Sequence, residues 1–451
     1  MSETIAPRVV PSNYQELLDT DTRPVPPTLR VVHPAMDLGD GDVSIDRYIS
    51  REWHEREKEL LWRKVWQFAC REEELPAPGD HVVYDIVGLS FLVVRQDDGS
   101  IKAFPNACLH RGRMLKDHEG SCSELRCPYH GYTWALDGSL KFVPARYEFP
   151  QVVDDDFHLT ELPVGRWNGF VFINPDPHAA PFDEFIADLA EQFEPWDLST
   201  SFIEVHISKV ILANWKVTQE AFCEAYHVGA THPQIMAYLS DTATQVDVWR
   251  NASRAISPAG LASALLPWEP TEADMMRSML DVREGEPLPV QIPDGGSMRA
   301  IAADLIRDRW RPIVGERVET MSDAELMDSL DYTLFPNFHP WGAFNRIVYR
   351  FRPNGDDHRT SIMEVYYLSP FDGERPPPAT VHELDAVTPW TEATELGMLA
   401  KVFEQDTFNM AKVQRGLEAT YKPGVTLAAY QESKVRWLHH RLDEYVNGAS
   451  S

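Results

Sequence analysis

Four side chains, Cys108, His110, Cys127 and His130, stand in two short arms, Cys-x-His and Cys-x-x-His, with 16 residues between the arms. No other feature of the 451-residue chain restricts its fold as much. Two arms spaced in this way form two turns that converge on one metal centre, and thiolates with neutral imidazoles suit zinc or iron. Five cysteines (Cys70, Cys108, Cys122, Cys127, Cys223) in so long a chain are no disulfide framework, so the thiols are free for metal. A zinc finger usually groups its cysteines in one arm and its histidines in the other. Here each arm gives one of each, which fits a [2Fe–2S] cluster with both thiolates on one iron and both imidazoles on the other. Gly112 and Gly131 permit close backbone approach to sulfide, and Pro128 stiffens the second arm. Structural zinc is the competing reading. Cys122 and His118 lie between the arms at the wrong spacing and read as loop residues.

Around these arms the pattern is that of short strands. HVVYDIV, SFLVVRQ, IKAFP, YTWAL, LKFVP and GFVFINP follow one another between about 78 and 175, with hairpin turns at Asp97-Asp98-Gly99 and Asp137-Gly138. A compact antiparallel β domain over 67–175 is expected, with the Cys/His arms inside it. Residues 1–44, with scattered prolines, read as an extended arm on the surface. Residues 45–66 read as an amphipathic helix through Ile49, Trp53, Leu60, Leu61 and Val65. The remainder, 176–451, reads as one α+β domain. Its strands are EVHISKVIL, RIVYRFRP and SIMEVYYLSP, a helix starts near Asn214, and helices run from about 390 to 446.

A net charge of −28 disfavours nucleic acid and anionic lipid. No apolar run approaches the length of a membrane span, and MSETIAPRVVPSNYQ carries neither a charged leader nor an apolar secretory core, so a cytoplasmic location is expected.

A [2Fe–2S] cluster moves one electron and does no substrate chemistry, so the rear of the chain is where an electron acceptor belongs. NWKVTQEAFCEAYHVGATHP (214–233) holds His227 and His232, five apart, and a break at Gly229 is expected to swing the second ring round to the first. The stripe Leu399, Val402, Phe403, Met410, Val413, Leu417 defines the buried face of a C-terminal helix, and Asp406 falls on it while Glu404 does not. An inward acid is costly unless paired or metal-bound. His227, His232 and Asp406 together form a two-histidine, one-carboxylate set that leaves positions open on Fe(II).

NACLHRG (106–112) and CPYHGYTW (127–134) resemble the two cluster loops of Rieske proteins. NWK…E…YHVGATH and EQDTFNM (404–410) resemble the catalytic segments of Rieske non-haem iron ring-hydroxylating oxygenases, α subunit. The likeness covers about 45 to 420. It implies a Rieske antiparallel β domain joined to a helix-grip catalytic domain, an antiparallel sheet with helices. It also implies a mononuclear Fe(II) beside the cluster, O2 and a hydrophobic small molecule as substrates, and a separate reductase, with or without a ferredoxin, as electron source. NAD(P)H and flavin then belong to that reductase, because the chain has no GxGxxG fingerprint. Read from the residues alone, Glu224 is a salt-bridged surface acid. The resemblance instead makes it the bridge from His130 of one subunit to His227 of the next, in a head-to-tail homotrimer that is compatible with an added β subunit.

Glu at 224 and Ala at 221 depart from the naphthalene-type pattern and tilt the expectation from aromatic-ring cis-dihydroxylation towards monooxygenation or oxidative demethylation. A non-catalytic Rieske electron carrier is the rival from another class. For the substrate pocket the resemblance points to Phe222, Met236, Leu239, Leu334, Phe335, Phe338, Trp341 and Phe344, with a lid within 240–330. His439-His440 fit an amphipathic terminal helix, and HEREKE (54–59) is a solvated helix face.

Overall fold

A computed structural model describes residues 14–34, 38–343, 346–371 and 373–448. The strand Gln67–Arg71 pairs with Phe170–Ile173, which pairs in turn with Val164–Trp167. First and last strands of the front domain thus close on each other, and the residues between them are one excursion from that base. Asp80–Ile86, Leu89–Arg95 and Ile101–Pro105 form an antiparallel meander with Gly120–Ser121 on its edge. Leu125–Arg126, Thr133–Trp134 and Leu140–Phe142 form a second small sheet. Both expected hairpin turns are present. Gly99 and Gly138 take φ of 81° and 87°, where a side chain would be strained. Asp98 and Asp137 each accept the backbone N–H two residues on. Leu92, Phe104, Leu125 and Trp134 pack with Cys108 and Cys127 into a core of their own.

The rear domain is an eight-stranded sheet with β1 (Ser201–Ile211), β2 (Gln245–Val248), β3 (Ala252–Ser257), β4 (Ser329–Leu334), β5 (Phe338–Pro340), β6 (Ile347–Asn354), β7 (Asp357–Pro370) and β8 (His382–Leu384). The strand order is β2-β3-β4-β5-β6-β7-β1-β8, antiparallel except for β1 with β8. Its helices include α1 (Phe182–Gln192), α2 (Trp215–Glu220), α3 (Val228–Thr231), α4 (Glu272–Met279), α5 (Met298–Val314), α6 (Leu399–Ala419) and α7 (Ser433–Val446). Side chains alternate across each strand, and the two faces have different work. On β6, Val348 packs with Phe68, Phe170 and α1, whereas Ile347, Tyr349 and Phe351 pack with Val217 of α2 and Phe403 and Met410 of α6. The first face joins the two domains. The second is gripped by the helices.

Two sequence expectations change. Residues 14–33 do not lie as an extended arm on the surface: Tyr14, Leu18 and Leu29 are buried in the main core. Tyr14 donates to Asp328, Asp21 pairs with Arg299, and Arg254 donates to the carbonyls of Thr28 and Val31. The helix expected over 45–66 is broken at Ser50, whose hydroxyl caps the next helix by accepting from the Trp53 N–H, and on that helix His54 and Glu57 are buried instead of solvated, Glu57 paired with Lys216.

Candidate metal centres

The two arms of the front domain have the same backbone design. The Cys108 N–H donates to the Arg113 carbonyl at 2.8 Å and its carbonyl accepts from Gly112 at 2.8 Å. The Cys127 N–H donates to Tyr132 at 2.8 Å and its carbonyl accepts from Gly131 at 3.0 Å. Gly112 and Gly131 sit at φ of 75° and 82°, so each turn needs its glycine. The thiols of Cys108 and Cys127 are buried next to each other, and burial first, then the neighbouring thiol, holds Cys108 above its ordinary range. The His110 and His130 rings lie edge to face at 4.7 Å, with His110 stacked on Tyr132 at 4.6 Å. His110 Nδ1 is buried with no partner within the protein. A buried nitrogen with no protein partner is costly unless something else satisfies it. Paired thiolates, paired imidazoles and that free nitrogen fit a [2Fe–2S] cluster. His130 itself, with Tyr129 and Leu109, is exposed.

In the rear domain, His227 and His232 flank α3, the one-turn helix. The expected break at Gly229 is absent: Gly229 lies inside α3, where an added Cβ would meet Leu265 Cδ1 at 3.3 Å and Asp241 Oδ2 at 3.5 Å. The rings converge because they leave from opposite ends of that single turn, which His232 and Pro233 terminate. Asp406 reaches them from α6 and is 5% exposed. Its Oδ1 lies 2.7 Å from His232 Nε2 and 3.6 Å from His227 Nε2. One donor atom from each of the three lies within 4.8 Å of the others, which fits a single iron ion in a facial set. Glu404 points away and accepts the Trp390 N–H.

Each imidazole is oriented through its other nitrogen. His227 Nδ1 donates to Glu224 Oε1 at 2.7 Å, and the His227 backbone N–H donates to Oε2 at 3.0 Å. Burial lowers the His227 pKa, but the hydrogen bond and charge of Glu224 with the charge of Asp406 outweigh it and leave the ring above its ordinary value. His232 Nδ1 lies 2.9 Å from Gln405 Oε1. His227 and Asp406 themselves, with Glu220, Glu224, Asn409 and Glu432, line a cavity of about 220 Å³. Burial first, then the charges of Glu224 and Glu220, raises the pKa of Glu432.

The pocket residues expected from sequence divide between the two faces. Phe222 is tilted against Tyr349 at 5.1 Å and stacks on Phe351 at 5.3 Å, and Trp341 meets Tyr349 edge-on at 6.1 Å, both on the gripped face. Met236 packs with Val228 of α3 and with Leu266, and Leu239 bridges to Ala259. Leu334, Phe335 and Phe338 belong to the opposite face. Phe338 lies against Phe170 at 4.9 Å and Phe68 at 5.2 Å, and Phe335 stacks on Tyr445 at 5.4 Å, because strand alternation turns 334 and 338 away from 333 and 339. Phe344 lies outside the described residues.

Three residues not anticipated from sequence share the gripped face with Trp341. Asp331 is its bridge partner, and His339 is paired with Tyr349. Asp331 Oδ1, His339 Nε2 and Trp341 Nε1 are buried without partners in the protein. Burial and then the charge of Lys434 keep His339 neutral, far below its ordinary pKa. Tyr349 is held well above its own by burial, then by the charges of Asp331 and Asp406. The alternation of RIVYRFRP was the signal that could have found Tyr349.

Residues 65–153 match the family model for the Rieske [2Fe-2S] domain, and residues 193–448 match that for the ring hydroxylating alpha subunit (catalytic domain). The chain therefore belongs to the ring-hydroxylating α-subunit family of Rieske non-haem iron proteins, with a Rieske domain and a mononuclear-iron catalytic domain. Among curated relatives it is similar to the glycine betaine monooxygenase oxygenase subunit of Pseudomonas aeruginosa, 31% identical over 43% of this chain and 45% of that protein. It is also similar to the carnitine monooxygenase oxygenase subunit of Acinetobacter pittii, 31% identical over 41% of this chain and 51% of that protein. The large oxygenase component of the 2,4-dinitrotoluene dioxygenase system of a Burkholderia species is 31% identical over 42% of this chain and 44% of that protein. The chain thus spans about half the length of the curated relatives it matches. In fold it is similar to the quaternary ammonium Rieske monooxygenase CntA, with a TM-score of 0.61 at 18% identity over 89% of this chain and 94% of the other. Naphthalene 1,2-dioxygenase from a Rhodococcus species gives 0.60 at 20% identity over 91% and 95%. Among the described residues no helix is long and apolar enough to cross a membrane.

Proposed function

We propose that this chain is a terminal oxygenase component that takes electrons from a separate reductase, directly or through a ferredoxin, and hydroxylates a hydrophobic organic substrate with O2. The observation that carries the reading is the convergence of His227, His232 and Asp406 within 4.8 Å in a chain that also holds a Rieske ligand set. His227, His232 and Asp406 would hold the iron ion, which when bound would supply the oxygen activation that side chains lack.

The protein's own part is positioning. His130 is exposed at the front of one chain, and Glu224 lines the cavity beside His227 at the rear, so a head-to-tail homotrimer would bring the two together. Glu224 then orients both imidazoles by accepting from each. A groove of about 1110 Å³ between α4 and the start of α6 runs past Ile235, Tyr238, Trp268 and Val402 to Gln405, next to Asp406, and is the route we assign to substrate. The innermost seat is the gripped face under Asp406, where Phe222, Trp341 and Tyr349 supply aromatic walls. Asp331, His339 and Trp341 offer unpaired hydrogen-bonding atoms there.

Monooxygenation, including oxidative demethylation, is favoured over cis-dihydroxylation by Glu at 224 and by the relatives named as monooxygenases. The dioxygenase reading keeps the support of the 2,4-dinitrotoluene relative. The test is oxygen uptake with a generic reductase and ferredoxin across quaternary amines and aromatic compounds, with iron assayed alongside. Three irons per chain and substrate-dependent uptake are expected. Two irons and no uptake would make the chain an electron carrier.

A further inference from the structure

The two iron-facing histidines have unlike partners behind them. His227 is backed by a carboxylate, Glu224, whereas His232 is backed by an amide, Gln405. Adjacent residues of α6 thus address both nitrogens of the His232 ring: Gln405 Oε1 lies 2.9 Å from Nδ1 and Asp406 Oδ1 lies 2.7 Å from Nε2. The ring itself is 3% exposed, so the identity of the atom at each nitrogen decides which tautomer exists there.

We propose that Gln405 is a positioning residue that fixes the His232 tautomer with its proton on Nδ1 and its Nε2 lone pair free for iron. An amide can present either of two ends. With its oxygen towards His232 it accepts from Nδ1–H; turned over, its NH2 would donate to Nδ1 and force the proton onto Nε2, where ligation is blocked. Gln234 is placed to match that orientation. Its Nε2 donates to the same Gln405 Oε1 at 2.9 Å, a bond that only the oxygen can accept. The hydrogen-bonded chain runs from Gln234 through Gln405 to His232. Because Gln234 and Gln405 both wall the large groove, this lock lies on the same surface as the substrate route.

This inference rests on the reading of the triad as an iron site, and the test separates the two. Full-length wild type, Gln405→Leu and Gln405→Glu are titrated with Fe(II) against a chromophoric chelator, with the visible absorption of the cluster as the measure that each protein is folded. Gln405→Leu is expected to weaken Fe(II) binding about 10–100-fold. Gln405→Glu restores an acceptor at Nδ1 and is expected to stay within a few-fold of wild type. Wild-type affinity in Gln405→Leu would overturn the proposal. So would equal loss in both variants, since that pattern belongs to packing around α6 and not to a hydrogen bond. A wild type that binds no Fe(II) at the rear site would remove the triad assignment and the lock together.

Discussion

Glu224→Gln separates a carboxylate's charge from its shape. Glu224 is 10% exposed at the side chain and makes two bonds to one residue, 2.7 Å from the ring nitrogen and 3.0 Å from the backbone nitrogen of His227. A hydrogen bond to a charged partner contributes about 1.5–3 kcal/mol and a neutral one about 0.5–1.5 kcal/mol. A glutamine that keeps one oxygen on Nδ1 therefore costs roughly 1–1.5 kcal/mol, or about tenfold in the binding constant for Fe(II). Excess Fe(II) offsets a loss of that size, so the variant can be studied with both centres loaded. Electron delivery should suffer more, because a carboxamide offers one acceptor oxygen where the carboxylate offers two and turns an NH2 donor to the other partner, and a fall of about 10–100-fold is expected. The assay is stopped-flow reoxidation of the reduced cluster, followed by its visible absorption, with O2 and substrate in iron-replete protein. Reoxidation at the wild-type rate would mean that electrons do not cross at Glu224, and the carboxylate would then serve only to shape the turn before α3.

Asp406→Ala should abolish mononuclear iron, measured by metal analysis, while the cluster spectrum persists; retained iron would move the third ligand elsewhere. Phe338→Ala should lower the unfolding free energy by about 3–5 kcal/mol in denaturant titrations, because Phe338 is buried against Phe68, Phe170 and Phe172, yet Fe(II) affinity should hold. Tyr349→Phe removes a hydroxyl from the gripped face and should raise KM more than it lowers kcat; unchanged KM would put the substrate elsewhere. For Cys122, burial raises the thiol pKa, but the His81 hydrogen bond and the charge of Lys116 prevail and lower it, whereas burial drives Cys223 up to about 12. The thiolate is the reactive form, so iodoacetamide at pH 8 should label Cys122 before Cys223 by peptide mass mapping, and the opposite order would refute the assignment.

The residues that converge at the two candidate centres were readable from sequence because their chemistry is local. Cys-x-His and Cys-x-x-His are short turns, and Asp406 declared itself by standing on an apolar helical stripe where a free acid has no reason to be. Faces of strands were harder. Phe338 and His339 are neighbours on a three-residue strand, too short to establish an alternation, so the choice between domain core and gripped face depended on register with β4 and β6. The burial of residues 14–33 was invisible for a different reason: its bonds run from Tyr14 to Asp328 and from Asp21 to Arg299, across hundreds of residues, and a proline-rich stretch has no periodicity to reveal them. Gly229 misled because glycine serves close packing as well as bends. Gln405 carried no signal in isolation, since an amide beside an acid on a helix is ordinary.

The two-faced central sheet has a consequence for how such a chain can diversify. On β4, β5 and β6 the odd-numbered positions 331, 333, 339, 349 and 351, with Trp341 just beyond β5, share the gripped face, while the even-numbered 334, 338 and 348 hold the front and rear halves together. With substrate seated on the gripped face as proposed, its preference can drift by replacing every second residue without touching the joint between the halves. A codon library confined to the odd positions should therefore yield far more soluble, cluster-bearing proteins than one confined to the even positions.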